Sequence, residues 1–423
     1  MESAHFIIVG GGHAAGQLAD SLRREKIDGR ITVITEEALP PYQRPHLSKL
    51  YLAGKLPLEK LLYRPREFYV QHDVEVMLGK KVASIVPTAR SISLSDGSKL
   101  NYDKLALCTG ASVRRLNIPG SDNAGVFYLR TVADTDQIRA SLETARNVVF
   151  IGGGSLGMEA AGVVAAMGKR VTVLEMQARI MAATVAPQIS EFYHKLHTER
   201  GVDIRTGVGV NSIHQENGRV VAVQTSEGKS IPADMVMISV GVTANTTLAE
   251  TAGLRCHDGI CVDEYAQTSD PHIVAAGDCT RHPNSFLGRE LRLESVHNAV
   301  EQAKTAAATM CGRKMAYAQV PWFWSDQHEY RLQMVGIPAA TDTLVMRGDS
   351  GAGSFSVLYF REDNLSACQA VNRPADYISC RKIMENNIPF SPRQAADPRF
   401  NPGSLVPPKA RLAFQKRSIE MTA

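Results

Sequence analysis

One pattern occurs twice in the chain and constrains its fold more than any other feature. Residues 6–12 read Phe-Ile-Ile-Val-Gly-Gly-Gly, and residues 148–154 read Val-Val-Phe-Ile-Gly-Gly-Gly. Each is a short apolar run of strand type that stops at three glycines. Helical spacing follows both: Leu18, Ala19 and Leu22 share a face after the first, and Ala160, Val163, Val164 and Met167 after the second. A second strand comes next in each case, Ile31 to Ile34 and Val171 to Leu174. Two strand–helix–strand units about 140 residues apart predict two dinucleotide-binding domains.

The first fingerprint is Gly10, Gly12 and Ala15. Gly10 permits the tight turn, Gly12 lets backbone approach a pyrophosphate, and the small Ala15 permits close packing of helix on strand. The phosphates are expected over the helix N-terminus, held by free N–H groups and the helix dipole. Glu36, at the end of the next strand, is the candidate acceptor for ribose hydroxyls. The second fingerprint is Gly152, Gly154 and Gly157, with Glu175 ending its second strand. An acid there binds a 2′-hydroxyl and repels a 2′-phosphate, and Met176, Gln177 and Ala178 offer no arginine beside it. NADH is expected over NADPH.

Two further apolar strands end at glycines, at Thr109-Gly110 and at Gly241, and Ile273 to Asp278 resumes the pattern later. The second nucleotide domain is therefore expected to be inserted into the first. The expected domains are 1–112 with 242–320, the insertion 113–241, and a C-terminal α+β domain over 321–388. In the last, alternating runs at 354–360 and 365–371 predict antiparallel strands, with a helix from Ala375 to about Asn387. Residues 389–423 form an extension; six prolines at 389, 392, 398, 402, 407 and 408 predict an extended or partly disordered tail.

Composition excludes other classes. The net charge of +4, from 47 basic and 43 acidic residues, does not suggest nucleic-acid binding. Seven cysteines without a C-x-x-C pair give neither a disulfide framework nor a zinc site, and the histidines lack ligand spacing, so no metal is expected. Cys256 and Cys261 are spaced like a redox pair, but they flank His257-Asp258-Gly259, a turn, so no catalytic use is expected of them. The chain enters the Phe6–Val9 strand without a charged, apolar leader, and no run is long enough to span a membrane. A cytoplasmic location is expected, as a monomer or homodimer.

The chain resembles the FAD-dependent ferredoxin reductases of bacterial oxygenase systems, from about residue 5 to about 388. The resemblance is carried by Pro41 to Lys49 (PYQRPHLSK), Thr109-Gly110, Ala276-Gly277-Asp278, Leu293 to Ala299 and, most specifically, Pro321 to Gln327 (PWFWSDQ). Cys108 and Ala15 stand where the family usually has alanine and glycine, and the family typically ends soon after the position of Pro389. The resemblance implies an α/β protein with two Rossmann-like domains in the glutathione reductase-like arrangement, plus the α+β domain. It implies that Arg44 and Lys49 contact the flavin or its pyrophosphate and that Asp278 accepts from the ribityl chain. It places Thr109, Gly110, Gly277, Ser295, Val296 and Gly241 at the cofactors. It also pairs Glu159 with Lys49 beside the flavin ring and sets Trp324, or Trp322, at the ring edge.

The implied reaction is hydride transfer from NADH to FAD, then single-electron transfer to a [2Fe–2S] ferredoxin that feeds a cytochrome P450 or a Rieske oxygenase. Arg313, Lys314, Arg373 and Lys382 are candidates for a basic docking patch. Two other readings compete: reduction of a small acceptor such as monodehydroascorbate or oxygen, and an interaction protein like apoptosis-inducing factor. The second usually brings a targeting leader and a C-terminal insertion, and neither is visible.

Overall fold

Phe6 to Val9 is apolar at every position because it is covered on both faces, as a central parallel strand must be. The computed structural model describes residues 3–407. The chain separates into two compact units, residues 1–151 with 210–319, and residues 152–209 with 320–423.

The first unit is built on a five-stranded parallel sheet. Its order is Ile273–Ala275, Lys104–Leu107, Ala4–Val9, Gly29–Ile34 and Val74–Met77. Phe6 and Ile8 face one side, where the helices His13–Arg24 and Val296–Met310 pack with Leu18, Ala19, Leu22, Ala303, Ala306 and Ala307. Ile7 and Val9 face the other, against Ile85, Ile92 and Leu94 of a small antiparallel sheet. The alanine face of the second helix is what lets it lie close to the first. The strand Ile273–Ala275 pairs with Lys104–Leu107 although residues 108–272 separate them in sequence. Three more parallel strands, Val126–Tyr128, Met235–Ile238 and Asn147–Ile151, belong to this unit. Ala111–Val113 and Val242–Ala244 form an antiparallel pair beside them.

The second unit begins at the second glycine turn. It holds the helix Ser155–Ala166, the parallel strands Arg170–Glu175 and Val202–Thr206, and the helix Pro187–Glu199. Its remainder is a five-stranded antiparallel sheet ordered Trp322–Gln327, Tyr330–Gly336, Asn364–Val371, Ser354–Arg361 and Thr343–Asp349. The helix Pro374–Glu385 packs on it.

The proline-rich segment after 388 is not an extended tail as far as residue 407. Ser391 and Gln394 make a capping box for the short helix Pro392–Ala396, and Pro402–Leu405 forms a 3-10 turn. Phe390, Ala395 and Val406 are buried, and Arg347 donates to the carbonyls of Ala395, Asp397 and Phe400. Proline at the first helical turn starts a helix without losing a hydrogen bond, so proline count alone misjudged this segment. Lys409, Arg411, Lys416 and Arg417 lie outside the described residues.

Candidate functional site

In the first unit the Gly10 N–H donates to the Ile34 carbonyl at 2.8 Å, tying the glycine turn to the neighbouring strand. Gly10 has φ +140, and a Cβ there would lie 2.1 Å from the Cys108 carbonyl oxygen, so only glycine fits. Helix His13–Arg24 starts after Gly12 with no side-chain cap and no acid in its first turn. Ala15 is fully buried beneath it.

Arg44 enters this mouth from the segment after the second strand; its Nε is the nearest atom to a Cβ built on Gly12, at 3.9 Å. Glu37 Oε1 accepts from Arg44 at 2.5 Å, and Tyr42 Oη and the Arg130 carbonyl accept at 2.9 and 2.8 Å. Tyr42 in turn donates to Glu37 Oε2 at 2.6 Å. Arg130 lies 3.3 Å from the Asp278 carboxylate. Burial, then the charges of Arg44, His46 and Arg130, push the His13 imidazole down to about 3. The mouth thus holds two arginines, each beside a carboxylate, and an uncapped helix end, whose free N–H groups suit a pyrophosphate.

Gly277 takes φ +92 and donates to Gln302 Oε1 at 2.8 Å, which fixes the turn before Asp278. Thr109 and Asn245 exchange hydrogen bonds at 2.8 Å each, and Asn245 N–H donates to the Gly110 carbonyl at 3.0 Å. The Gly241 carbonyl accepts from Arg114 N–H at 2.9 Å. Ser295 caps helix Val296–Met310 by accepting from Asn298 N–H at 3.1 Å, and Val296 is its first residue. Lys49 closes the short 3-10 helix Arg44–Ser48, with its Nζ 3.5 Å from the Pro45 carbonyl.

Glu36 occupies a different place from its counterpart. Gly10 pairs with Ile34 as Gly152 pairs with Leu174 at 2.9 Å, so Thr35 is the equivalent of Glu175. Glu36 lies one residue further, 67% exposed and 3.7 Å from Lys81.

In the second unit Glu175 Oε2 accepts from Gly153 N–H at 2.7 Å and Oε1 from Gln177 N–H at 2.7 Å. The acid is buried, and its orientation is set before any ligand arrives. Gly154 precedes helix Ser155–Ala166, again with no side-chain cap and no first-turn acid, and a Cβ there would meet nothing within 4 Å. Gly157 is buried on the inner face. One turn on, Glu159 is 7% exposed and accepts from the Ser325 hydroxyl at 2.6 Å. Strand alternation explains the meeting. Ser325 and Gln327 face the helix, whereas Trp322 and Trp324, 5.6 Å apart between ring centroids, point the other way. Lys49 belongs to the first unit, and Glu159 and Trp324 to the second.

Sequence reasoning missed Glu37, Tyr42, Arg130 and Asn245 in the first unit, and His197 in the second. Arg130 had a signal, because it directly precedes the Thr131–Asp134 capping box. Nothing linear pairs it with Asp278, 148 positions away. The basic patch fares less well. Arg313 pairs with Glu25, Arg373 with Asp376 at 2.7 Å, and Lys382 with Glu385 at 2.8 Å, so three of its four charges face acids. Lys314 sits over the Tyr265 ring at 5.6 Å.

All seven cysteines are free. Cys256 bridges antiparallel to Ile260 across the turn, and burial, then Glu250, push its thiol up to about 11. Such a thiol is not the thiolate that redox exchange needs. Among the described residues no group of three or more His, Cys, Asp or Glu is arranged to hold a metal, and no helix is long and apolar enough to cross a membrane.

Residues 4–303 match the pyridine nucleotide-disulphide oxidoreductase family, and residues 322–405 match the reductase C-terminal family. The ferredoxin–NAD(P)(+) reductase of a Sphingomonas species is 40% identical over 404 residues, covering 95% of this chain and 97% of its own. The chain belongs to the pyridine nucleotide-disulphide oxidoreductases, in their ferredoxin reductase branch. Two solved structures agree. The ferredoxin reductase for the CYP199A2 system of Rhodopseudomonas palustris has a TM-score of 0.93 at 38% identity, covering 95% of this reductase and 100% of that chain. The putidaredoxin reductase in a covalent complex with putidaredoxin has a TM-score of 0.92 at 36% identity, covering 96% and 98%. The reductase thus has the α/β fold with two nucleotide-binding regions and a C-terminal domain, and its family uses FAD and NAD(P)H.

Proposed function

We propose that this chain is the NADH-dependent, FAD-containing ferredoxin reductase of an oxygenase system, working in the cytoplasm. It would pass electrons to a [2Fe–2S] ferredoxin that feeds a cytochrome P450 or Rieske oxygenase. The observation that carries the reading is the pair of uncapped glycine turns, one in an arginine-lined mouth and one beside a buried, prepositioned acid. The relatives' names supply the acceptor class: one is a ferredoxin reductase by name, and another is joined to putidaredoxin in its structure.

When bound, the flavin and nicotinamide supply the redox chemistry, a hydride taken in and electrons released singly. The chain's own groups bind, orient and balance charge. The N–H groups after Gly12, with Arg44 and Arg130, would hold the FAD pyrophosphate, and Asp278, held by Arg130, would accept from the ribityl hydroxyls. Glu36, exposed beside Lys81, would accept from the adenosine ribose. Glu175 would accept from the nicotinamide dinucleotide's ribose while the N–H groups after Gly154 hold its pyrophosphate. Lys49 and Glu159 are assigned to opposite charges beside the flavin ring, and Trp324 to its edge. No nucleophile is required, and the Cys256 thiol is not poised to be one.

Identifying the released cofactor and then the acceptor tests the reading. Denaturation should free FAD, one per chain, without covalent attachment. NADH should then support reduction of a [2Fe–2S] ferredoxin from the same host. Release of FMN, or turnover only with small acceptors, would overturn it.

A further inference from the structure

The second unit contains a hydrogen-bonded chain that no cofactor contact explains. Ser325 Oγ lies 2.6 Å from Glu159 Oε1, and Gln327 Nε2 lies 3.1 Å from Ser325 Oγ. Gln327 Oε1 lies 2.8 Å from His197 Nε2, and His197 Nδ1 lies 3.3 Å from His328 Nε2. Ser325, Gln327 and His197 are at most 1% exposed, so their groups have no recourse to bulk water.

The direction of every bond in the chain is fixed by its neighbours. Gln327 Nε2 also lies 3.3 Å from the Met181 sulfur, which has no proton to give. That contact orients the amide with its nitrogen toward Met181 and Ser325. The Ser325 hydroxyl receives from the amide and so gives its own proton to Glu159. The Gln327 oxygen can only accept, so His197 carries its proton on Nε2, leaving Nδ1 to accept from His328. His197 stays neutral: burial, opposed by the Gln327 hydrogen bond and helped by His328, Arg200 and His194, pushes it down to about 4. His328 is lowered as well, by burial and Arg200, against Glu329. Room for the two rings comes from Gly162, one turn beyond Glu159, where a Cβ would lie 3.1 Å from each.

We propose that Ser325, Gln327 and His197 are positioning residues, a chain whose bonds all donate toward Glu159 and hold it as an anion. Glu159 then serves the reaction as a fixed negative charge and not as a proton carrier. The role at the flavin rests on the assignment of Glu159 given above. Protonating Glu159 at Oε1 would set its proton against that of Ser325, and relief would require turning Ser325, flipping Gln327 away from Met181 and changing the His197 tautomer together. Protonating it at Oε2 would turn Oε1 from a charged into a neutral acceptor and weaken the Ser325 bond, so the chain favours the anion in either case. The amide also blocks a proton from running along the chain, since taking one at Oε1 and giving one from Nε2 would leave it as the high-energy imidic acid.

Infrared difference spectra of the flavin-loaded protein, with 13C-labelled glutamate and titrated between about pH 8 and 5, test this; Glu159→Gln assigns the band. The wild type should show the carboxylate throughout. Ser325→Ala, which removes the donor at Oε1, should show the protonated carbonyl within that range, its ionisation constant having moved roughly ten- to hundredfold, the size of one charged hydrogen bond. A protonated Glu159 in the wild type at pH 7, or identical titrations in both proteins, would overturn the proposal. Nitrogen-15 spectra of histidine in the wild type give a second readout that needs no variant. His197 should show a pyrrole-type Nε2 and a pyridine-type Nδ1, and the opposite tautomer or an imidazolium sinks the chain's direction. If Glu159→Gln leaves the rate of flavin reduction by NADH unchanged, the flavin-side assignment fails on its own, whatever the infrared result.

Discussion

Gly153 gives its backbone N–H to Glu175 across the second glycine turn at 2.7 Å, so the residue proposed to choose the nucleotide also shapes the glycine loop beside it. NADH should exceed NADPH by about tenfold or more in kcat/KM, since a 2′-phosphate against the buried carboxylate costs roughly 1–3 kcal/mol. Glu175→Gln removes the charge and keeps one acceptor, so it should narrow the ratio with a smaller loss of NADH affinity than Glu175→Ala. Equal use of both cofactors by the wild type would refute the assignment.

Arg130 should matter to FAD retention as much as the glycines do. Arg130→Ala removes the cation beside Asp278 and the mouth. The FAD dissociation constant should rise about ten- to hundredfold, matching roughly 1.5–3 kcal/mol for a charged hydrogen bond. Fluorescence of released flavin on dilution measures it, and unchanged retention would remove Arg130 from the site.

Acid should destabilise the protein between about pH 6.5 and 4. Burial pushes His282 down to about 4, and among the described residues neither of its ring nitrogens has a hydrogen-bond partner; Tyr317 meets it edge-on. The unfolded chain takes up this proton near 6.5 and the folded chain does not. Stability is therefore whole above that value and falls as pH drops, by up to about 1.4 kcal/mol per pH unit for each such group, levelling near 4. His197 adds to the same slope. His282→Phe should flatten the dependence of the denaturation midpoint on pH; an unchanged slope would show that His282 titrates normally.

Arg347 should be the clasp of the C-terminal segment. It is 7% exposed and holds three carbonyls between residues 395 and 400. Arg347→Met should leave NADH-dependent ferricyanide reduction within about twofold and make residues 389–407 sensitive to proteolysis, since unpaired buried carbonyls cost about 1–3 kcal/mol each. Cleavage at the wild-type rate would count against the clasp.

Cys256→Ser with Cys261→Ser should keep ferricyanide reduction within about threefold, below the tenfold change that roughly 1.4 kcal/mol of transition-state stabilisation represents. Loss of turnover in a folded variant would restore a role for the pair.

The glycine turns, the strands around them and the late return of Ile273–Ala275 to the first sheet were legible because each is a local pattern with one structural solution. Glu175 was legible for the same reason. Glu37, Tyr42 and Arg130 were not, because their place follows from side chains meeting across separate loops. Glu36 and Glu37 are adjacent acids, and only the folded loops show that Glu37 turns toward Arg44 while Glu36 turns toward Lys81. Three of the charges named as candidates for a docking patch pair with Glu25, Asp376 and Glu385, partners that come from folding or from the facing turn of a helix. The helix at Pro392–Ala396 was hidden by counting prolines without weighing where in a helix each would fall.

The return of the chain to its first sheet also has a consequence for synthesis. The strand Ile273–Ala275 follows its neighbour Lys104–Leu107 by about 165 residues. At roughly 5–20 residues per second, a ribosome takes about 8–33 s to cover that distance. For that time the nascent sheet has an apolar edge with open N–H and C=O groups, able to pair with any other extended chain. Residues 108–272, with the second glycine turn and the helix Ser155–Ala166 among them, are made in the interval, so they leave the ribosome before the first sheet can close.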